Sequence, residues 1–139
     1  MIILDTNVIS EAMKPEPDLA VKDWLNNQTV ETLYLSSIVL AELLFGVAAL
    51  PTGKRKNKLA EVLDGITELF GDRVLMFDFP AAQAYAELMA TARTAGKAIS
   101  VADGYIAAIA VANGMMVATR DVQPFEAAGV GIINPWKVG

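Results

Sequence analysis

Met1-Ile2-Ile3-Leu4-Asp5-Thr6-Asn7-Val8-Ile9-Ser10-Glu11 opens the chain. A short apolar run reads as a buried strand, and it stops abruptly at Asp5, before two small polar residues. In an open parallel sheet, ligands and reactive groups collect at the carboxyl ends of the strands. A carboxylate placed there is suited to hold a metal ion. Three further acids, Glu42, Asp103 and Asp121, stand in comparable places. Four carboxylates drawn together repel one another unless cations neutralise them. Their convergence within a few ångströms, at the carboxyl edge of the sheet, is the expectation that would make a divalent-metal site.

Strand-like and helix-like runs alternate along the rest of the chain. Met1–Leu4, Thr32–Leu35, Val74–Phe77 and Met115–Ala118 are short apolar segments, and Gly131–Ile133 is a weaker fifth. Between them, Asp18–Asn27, Ile38–Leu50, Lys54–Phe70, Pro80–Ala95 and Val101–Asn113 read as helices. The spacing of Leu59, Val62, Leu63, Ile66, Leu69 and Phe70 has the period of a helix face. Ile38–Leu50 and Val101–Asn113 are apolar on nearly every side, which implies a core thick enough to bury both. Strands alternating with helices predict βαβ units and a parallel sheet of four to five strands. No repeat, linker or low-complexity segment interrupts this pattern, so a single domain over residues 1–139 is expected.

Composition narrows the chemistry. The 139 residues are 54% hydrophobic with a mean hydropathy of +0.41. There is no cysteine and no histidine. Disulfides, cysteine–zinc sites, histidine general bases and serine–histidine–aspartate triads are excluded. A metal must therefore be a hard, oxygen-liking ion such as Mg²⁺ or Mn²⁺. No signal-peptide pattern opens the chain, and the longest uncharged stretch, Gly104–Thr119, is too short to span a bilayer. A cytoplasmic protein without a membrane partner is expected. The formal charge of −5 argues against nucleic acid when taken alone. Cations bound by clustered acids would reverse the local field.

Each acid also has a local explanation. Asp5 and Asp121 follow strands and would serve as helix caps or turn residues. Asp103 lies three residues after Ser100, as in a capping box, where the helix dipole favours an acid. Asp78, after Val74–Phe77, has only such a local role. Glu42 resists this treatment, as the sole charge in a helix that reads as buried; an unpaired carboxylate there costs several kcal/mol. The other charged feature is Lys54-Arg55-Lys56-Asn57-Lys58 at a helix N-terminus, where positive charge opposes the dipole. It is either a solvated turn or an RNA-binding patch, and Arg120 is better placed for a phosphate contact.

Asp5-Thr6-Asn7-Val8-Ile9-Ser10-Glu11, Ala41-Glu42-Leu43-Leu44-Phe45-Gly46, Ala102-Asp103-Gly104-Tyr105-Ile106-Ala107-Ala108 and Ala118-Thr119-Arg120-Asp121 together resemble PIN-domain proteins. Within that family the chain is similar to VapC toxins of bacterial toxin–antitoxin pairs, especially the FitB-like branch, whose Asn134-Pro135-Trp136 ending it also shares. The resemblance implies a Rossmann-like α/β/α sandwich with sheet order 3-2-1-4-5 and a Mg²⁺- or Mn²⁺-dependent endoribonuclease. Asp5, Glu42, Asp103 and Asp121 match the family's acidic positions, and Thr6, Asn7 and Thr119 its supporting polar ones. Asp5 and Asp103 are then the main metal ligands. Asp121 completes the site or holds a second ion, and Glu42 binds through water or orients the attacking one. A VapB- or FitA-like antitoxin, RNA, a homodimer, and operator DNA reached only through the antitoxin are the implied partners. Two rivals remain: a non-catalytic PIN-like module acting through protein binding, and another Asp-based phosphoryl-transfer hydrolase. The second would need an acid where Asn7 stands.

Overall fold

The computed structural model describes residues 1–138. Strand β1 (Ile2–Leu4) lies at the centre of a sheet completed by β2 (Leu33–Ser36), β3 (Val74–Leu75), β4 (Met116–Ala118) and β5 (Ile132–Ile133). The order is β3-β2-β1-β4-β5 and every pairing is parallel. This is the expected 3-2-1-4-5 arrangement. Consecutive strand residues face opposite sides. Ile3 and Leu4 on β1, and Val117 and Ala118 on β4, are all buried. Both faces of the sheet are therefore covered, as in a three-layer α/β/α sandwich.

The covering helices are α1 (Thr6–Ala12), α2 (Leu19–Asn26), α3 (Ser37–Ala48), α4 (Lys54–Phe70), α5 (Phe79–Thr94), α6 (Val101–Ala112) and α7 (Val122–Ala127). Local signals start and stop them. Asp18 caps α2 by accepting from the Ala20 and Val21 N–H groups. The Ser36 hydroxyl accepts from Val39 N at 3.0 Å. Asp78 caps α5 through Ala81 N at 3.1 Å, which is the local role read for it. Ser100 accepts from Asp103 N at 3.2 Å. Gly71, with φ +47°, ends α4 in a conformation that favours glycine.

Two expectations are corrected. The third strand stops at Leu75 because Phe77 leaves the sheet to stack against Tyr85 and Tyr105, with ring centroids 6.1 and 4.7 Å away. The helix from Ser37 is not a buried one. Only Val39 and Leu43 of α3 are inside, while Leu44 is 50% and Phe45 74% exposed. Glu42 is thus an exposed acid rather than a buried charge. Among the described residues no helix is long and apolar enough to cross a membrane.

Candidate active site

The sheet order changes direction at β1. Strands β2 and β3 extend to one side and β4 and β5 to the other, so the carboxyl ends of β1 and β4 flank the crevice where such folds take ligands. Asp5 ends β1, and its N–H donates to the Ala118 carbonyl of β4 at 2.9 Å. Its carboxylate is buried and tightly held. Oδ1 accepts the Thr6 N–H at 2.8 Å. Oδ2 accepts the Thr119 hydroxyl at 2.7 Å and, at a long 3.5 Å, the Asn7 amide. The buried Thr119 Oγ1 accepts in turn from Asn7 Nδ2 at 3.3 Å and from the Asp121 N–H at 3.0 Å. The Arg120 N–H donates to Asn7 Oδ1 at 3.2 Å. Six residues from both ends of the chain are thereby fixed around one carboxylate.

Glu42 joins from α3, where its Oε1 accepts the Thr6 hydroxyl at 3.0 Å. Asp103 enters from the first turn of α6. Burial pushes the Asp5 carboxyl up to about 6, more than the Thr119 and Thr6 hydrogen bonds lower it; the charges of Asp103 and Glu42 add to the rise. Asp103 is also raised, first by burial and then by Asp121, against its bond to Ser100. Glu42 and Asp103 thus act on Asp5, and Asp121 on Asp103, which links the four acids electrostatically. The side chains do not close up entirely, since among the described residues no three acids stand near enough to hold one ion as they are. Among the described residues, the Lys14–Glu11 ion pair, 3.0 Å long, does not involve any of the four, and no other ion pair is formed. Uncompensated, oxygen-only donors fit a hard divalent cation.

The sequence profile of the PIN domain matches residues 2–130. The chain belongs to the PIN-domain family. It is 59% identical to VapC ribonuclease Y4jK of Sinorhizobium fredii over 99% of each chain. It is 51% identical to toxin FitB of Neisseria gonorrhoeae over 98% of this chain and 99% of that one. A solved structure of FitAB bound to an IR36 DNA fragment superposes with a TM-score of 0.96 at 49% identity, covering 100% of this chain and 98% of that one.

Beside the PIN-domain acids runs a groove of about 560 Å³ between α1, α3 and α4. Thr6 and Glu42 stand at its acidic end; Lys14, Arg55 and Lys58 line it with apolar side chains between them. The basic run from Lys54 thus divides by role. Arg55 faces the groove, Lys54 lies outside its lining, and Lys56 donates to the Ala48 carbonyl at 3.1 Å, closing the end of α3. Lys58, the last residue of that run, lies three residues after Arg55 and shares its helix face.

Proposed function

We propose that this protein is the toxin of a bacterial toxin–antitoxin pair, acting in the cytoplasm as a Mg²⁺- or Mn²⁺-dependent endoribonuclease whose single PIN domain spans residues 1–139. The observation that carries this reading is Asp5, a buried carboxylate raised to about 6 by burial and flanked by acids that no basic side chain neutralises. Likeness to a VapC ribonuclease and to toxin FitB over nearly the whole chain supports the same activity.

Asp5 and Asp103 are the principal ligands for the ion, and Asp121 completes the set. Bound there, a divalent cation would acidify a water and neutralise charge developing on the phosphodiester. Thr119 and Asn7 keep the Asp5 oxygens in one orientation, so loading would bring Asp103 and Asp121 toward a ligand already fixed. Glu42, steadied by the Thr6 hydroxyl, would bind the ion through water or orient the attacking water. Arg120 and Arg55, with Lys54 and Lys58, receive the RNA phosphates. A FitA-like antitoxin is the partner, and operator DNA is met only through it; FitAB itself has been solved on DNA. The exposed Leu44 and Phe45 of α3, with Phe79 at the start of α5, support a homodimer.

The geometry disfavours another Asp-based phosphoryl-transfer hydrolase, because Asn7 serves as a bridge between Asp5, Thr119 and Arg120 rather than as a second acid. RNA cleavage by purified protein, free of antitoxin, tests the proposal. Cleavage should require Mg²⁺ or Mn²⁺ and disappear in Asp5→Asn. Metal binding without cleavage of any RNA would favour the non-catalytic, protein-binding module instead.

A further inference from the structure

Arg120 adjoins Asp121 in the chain, yet among the described residues it makes no ion pair. Its guanidinium lies over the ring of Trp136, 5.2 Å from the centroid. The backbone on either side leaves little freedom. The Arg120 N–H is held by Asn7 Oδ1 at 3.2 Å, the Thr119 N–H by the Ile133 carbonyl at 2.9 Å, and the Asp121 N–H by Thr119 Oγ1 at 3.0 Å. Only the side chain of Arg120 has a choice of partner. Glu11, whose carboxyl senses the Arg120 charge, has both oxygens engaged, by Lys14 Nζ and the Asp18 N–H at 3.0 Å each. The acid next to it in the chain, Asp121, belongs to the site. Trp136 is well built to compete with it. It packs against the core, the preceding Pro135 is buried, and the Trp136 N–H is tied to Asn134 Oδ1 at 3.0 Å. A guanidinium is weakly hydrated and stacks readily on such a face.

We propose that Trp136 is a positioning residue: its ring holds the Arg120 guanidinium out of the acidic cluster and presents it to an RNA phosphate flanking the scissile one. The inference rests on the endoribonuclease reading. Without the ring, the same guanidinium would swing onto the carboxylates, with a planar fork suited to them, and compete with the metal from within the chain. With it, one residue serves the substrate while the acids stay free. The Asn-Pro-Trp ending thereby acquires a role at the site.

Calorimetric titration with Mn²⁺, without RNA, reads the first half of the proposal. Trp136→Leu should weaken Mn²⁺ binding about threefold to tenfold, the scale of an ion pair that must break first. Trp136→Phe should keep affinity near wild type, and adding Arg120→Met to Trp136→Leu should restore it. A purely structural role would leave the double variant as weak as the single one. RNA binding reads the second half: Arg120→Met should lower affinity and reduce the salt slope by about one. Unchanged Mn²⁺ affinity in Trp136→Leu, no restoration in the double variant, or an unchanged salt slope overturns the proposal. Should Trp136→Leu not fold, tryptophan emission takes its place. Trp24 is buried in the core, so a short RNA added with chelator should alter emission through Trp136 in wild type and not in Arg120→Met; identical responses overturn the proposal. Wild type that binds no Mn²⁺ sinks the nuclease reading along with this one. Wild type that binds it normally while these variants fail sinks this inference alone.

Discussion

Helices α3 and α6 are nearly alike as sequences and opposite as structures. Each has twelve residues, is apolar almost all round and carries one acid. Helix α6 buries Gly104, Ile106, Ala107, Ala108, Ile109 and Ala110, whereas α3 buries only Val39 and Leu43. Small side chains explain the first case. Alanines and Gly104 let α6 lie close against α5, with Gly104 beside Tyr85 and Met89. Helix α3 carries bulkier Leu44 and Phe45 outward, and α1, α4 and α6 are its helical neighbours. An apolar surface therefore says that a helix will be covered, without saying by what. For α6 the cover is the rest of the domain; for α3 it is, on our reading, a second copy of the chain.

The two helices also deliver acids to the site on different terms, and the largest expected effects lie there. Asp103 is half-buried and held by the first turn of α6, while Glu42 is exposed and steadied by one hydroxyl. Asp103→Asn should reduce kcat for RNA cleavage by about a thousandfold. Glu42→Gln should cost about tenfold, as expected of a group acting through water. Equal losses would show that Glu42 takes a direct share in the chemistry, and the contrast between the helices would then not extend to function.

The packing contrast is tested by truncating one side chain on each helix. Ile109→Ala removes a fully buried group and should cost about 3–4 kcal/mol in urea unfolding. Phe45→Ser should change the unfolding of an isolated protomer by no more than about 0.5 kcal/mol. It should nevertheless shift light-scattering mass toward the monomer, making Tm less dependent on protein concentration. A dimer that survives Phe45→Ser intact would mean that α3 is not its interface.

Why one helix was misread and the other not follows from what hydropathy encodes. The 3.6-residue period placed a helix over Lys54–Phe70, and α4 has those bounds. Periods need length: α1 and α7, with seven and six residues, were too short to declare themselves. The strand through Phe77 was overextended because an aromatic residue suits a strand and a stack equally well, and only Tyr85 and Tyr105 decide between them. Asp5 was legible because an acid ending an apolar run is a chemical anomaly. The exposure of Glu42 was not, since nothing in the order of residues places α3 at the rim. The alliance of Arg120 with Trp136 spans sixteen residues and needed coordinates to be seen.

Asp5, the most buried acid, should make stability depend on pH. Asp5 is raised to about 6 from an ordinary value of 3.8, so the folded chain holds this proton more tightly than the unfolded one. Its contribution is fully present below about pH 4 and is lost as pH rises through about 6. Above that, the buried charge costs on the order of 3 kcal/mol in the metal-free protein. Asp103, also raised, contributes with the same sign. Asp5→Asn, metal-free, should gain stability relative to wild type as pH crosses this window, and saturating Mg²⁺ should narrow the gap by stabilising wild type alone. Parallel stability curves for the two proteins would mean that Asp5 is not strained by its setting.

The smallest effects come from the two glycines, and their signs should differ. A Cβ at Gly46 of α3 meets nothing within 4 Å. Gly46→Ala should therefore stabilise the protein by about 0.5–1 kcal/mol, the usual gain from removing glycine's freedom within a helix. A Cβ at Gly104 would stand 2.9 Å from Met89 Sδ and 3.0 Å from the Tyr85 ring. The thioether can turn aside, but the ring is wedged between Phe77 and Tyr105, with centroids 6.1 and 4.8 Å away. Gly104→Ala should thus lose about 1 kcal/mol net despite the same helix gain. Because displaced Tyr85 presses on Tyr105 in the turn that carries Asp103, this substitution should also lower kcat. Urea melts of both variants, with cleavage rates for each, decide the matter. Stabilisation by both would show that α6 packs more loosely than its small side chains suggest, and the contrast with α3 would then rest on burial alone rather than on close approach.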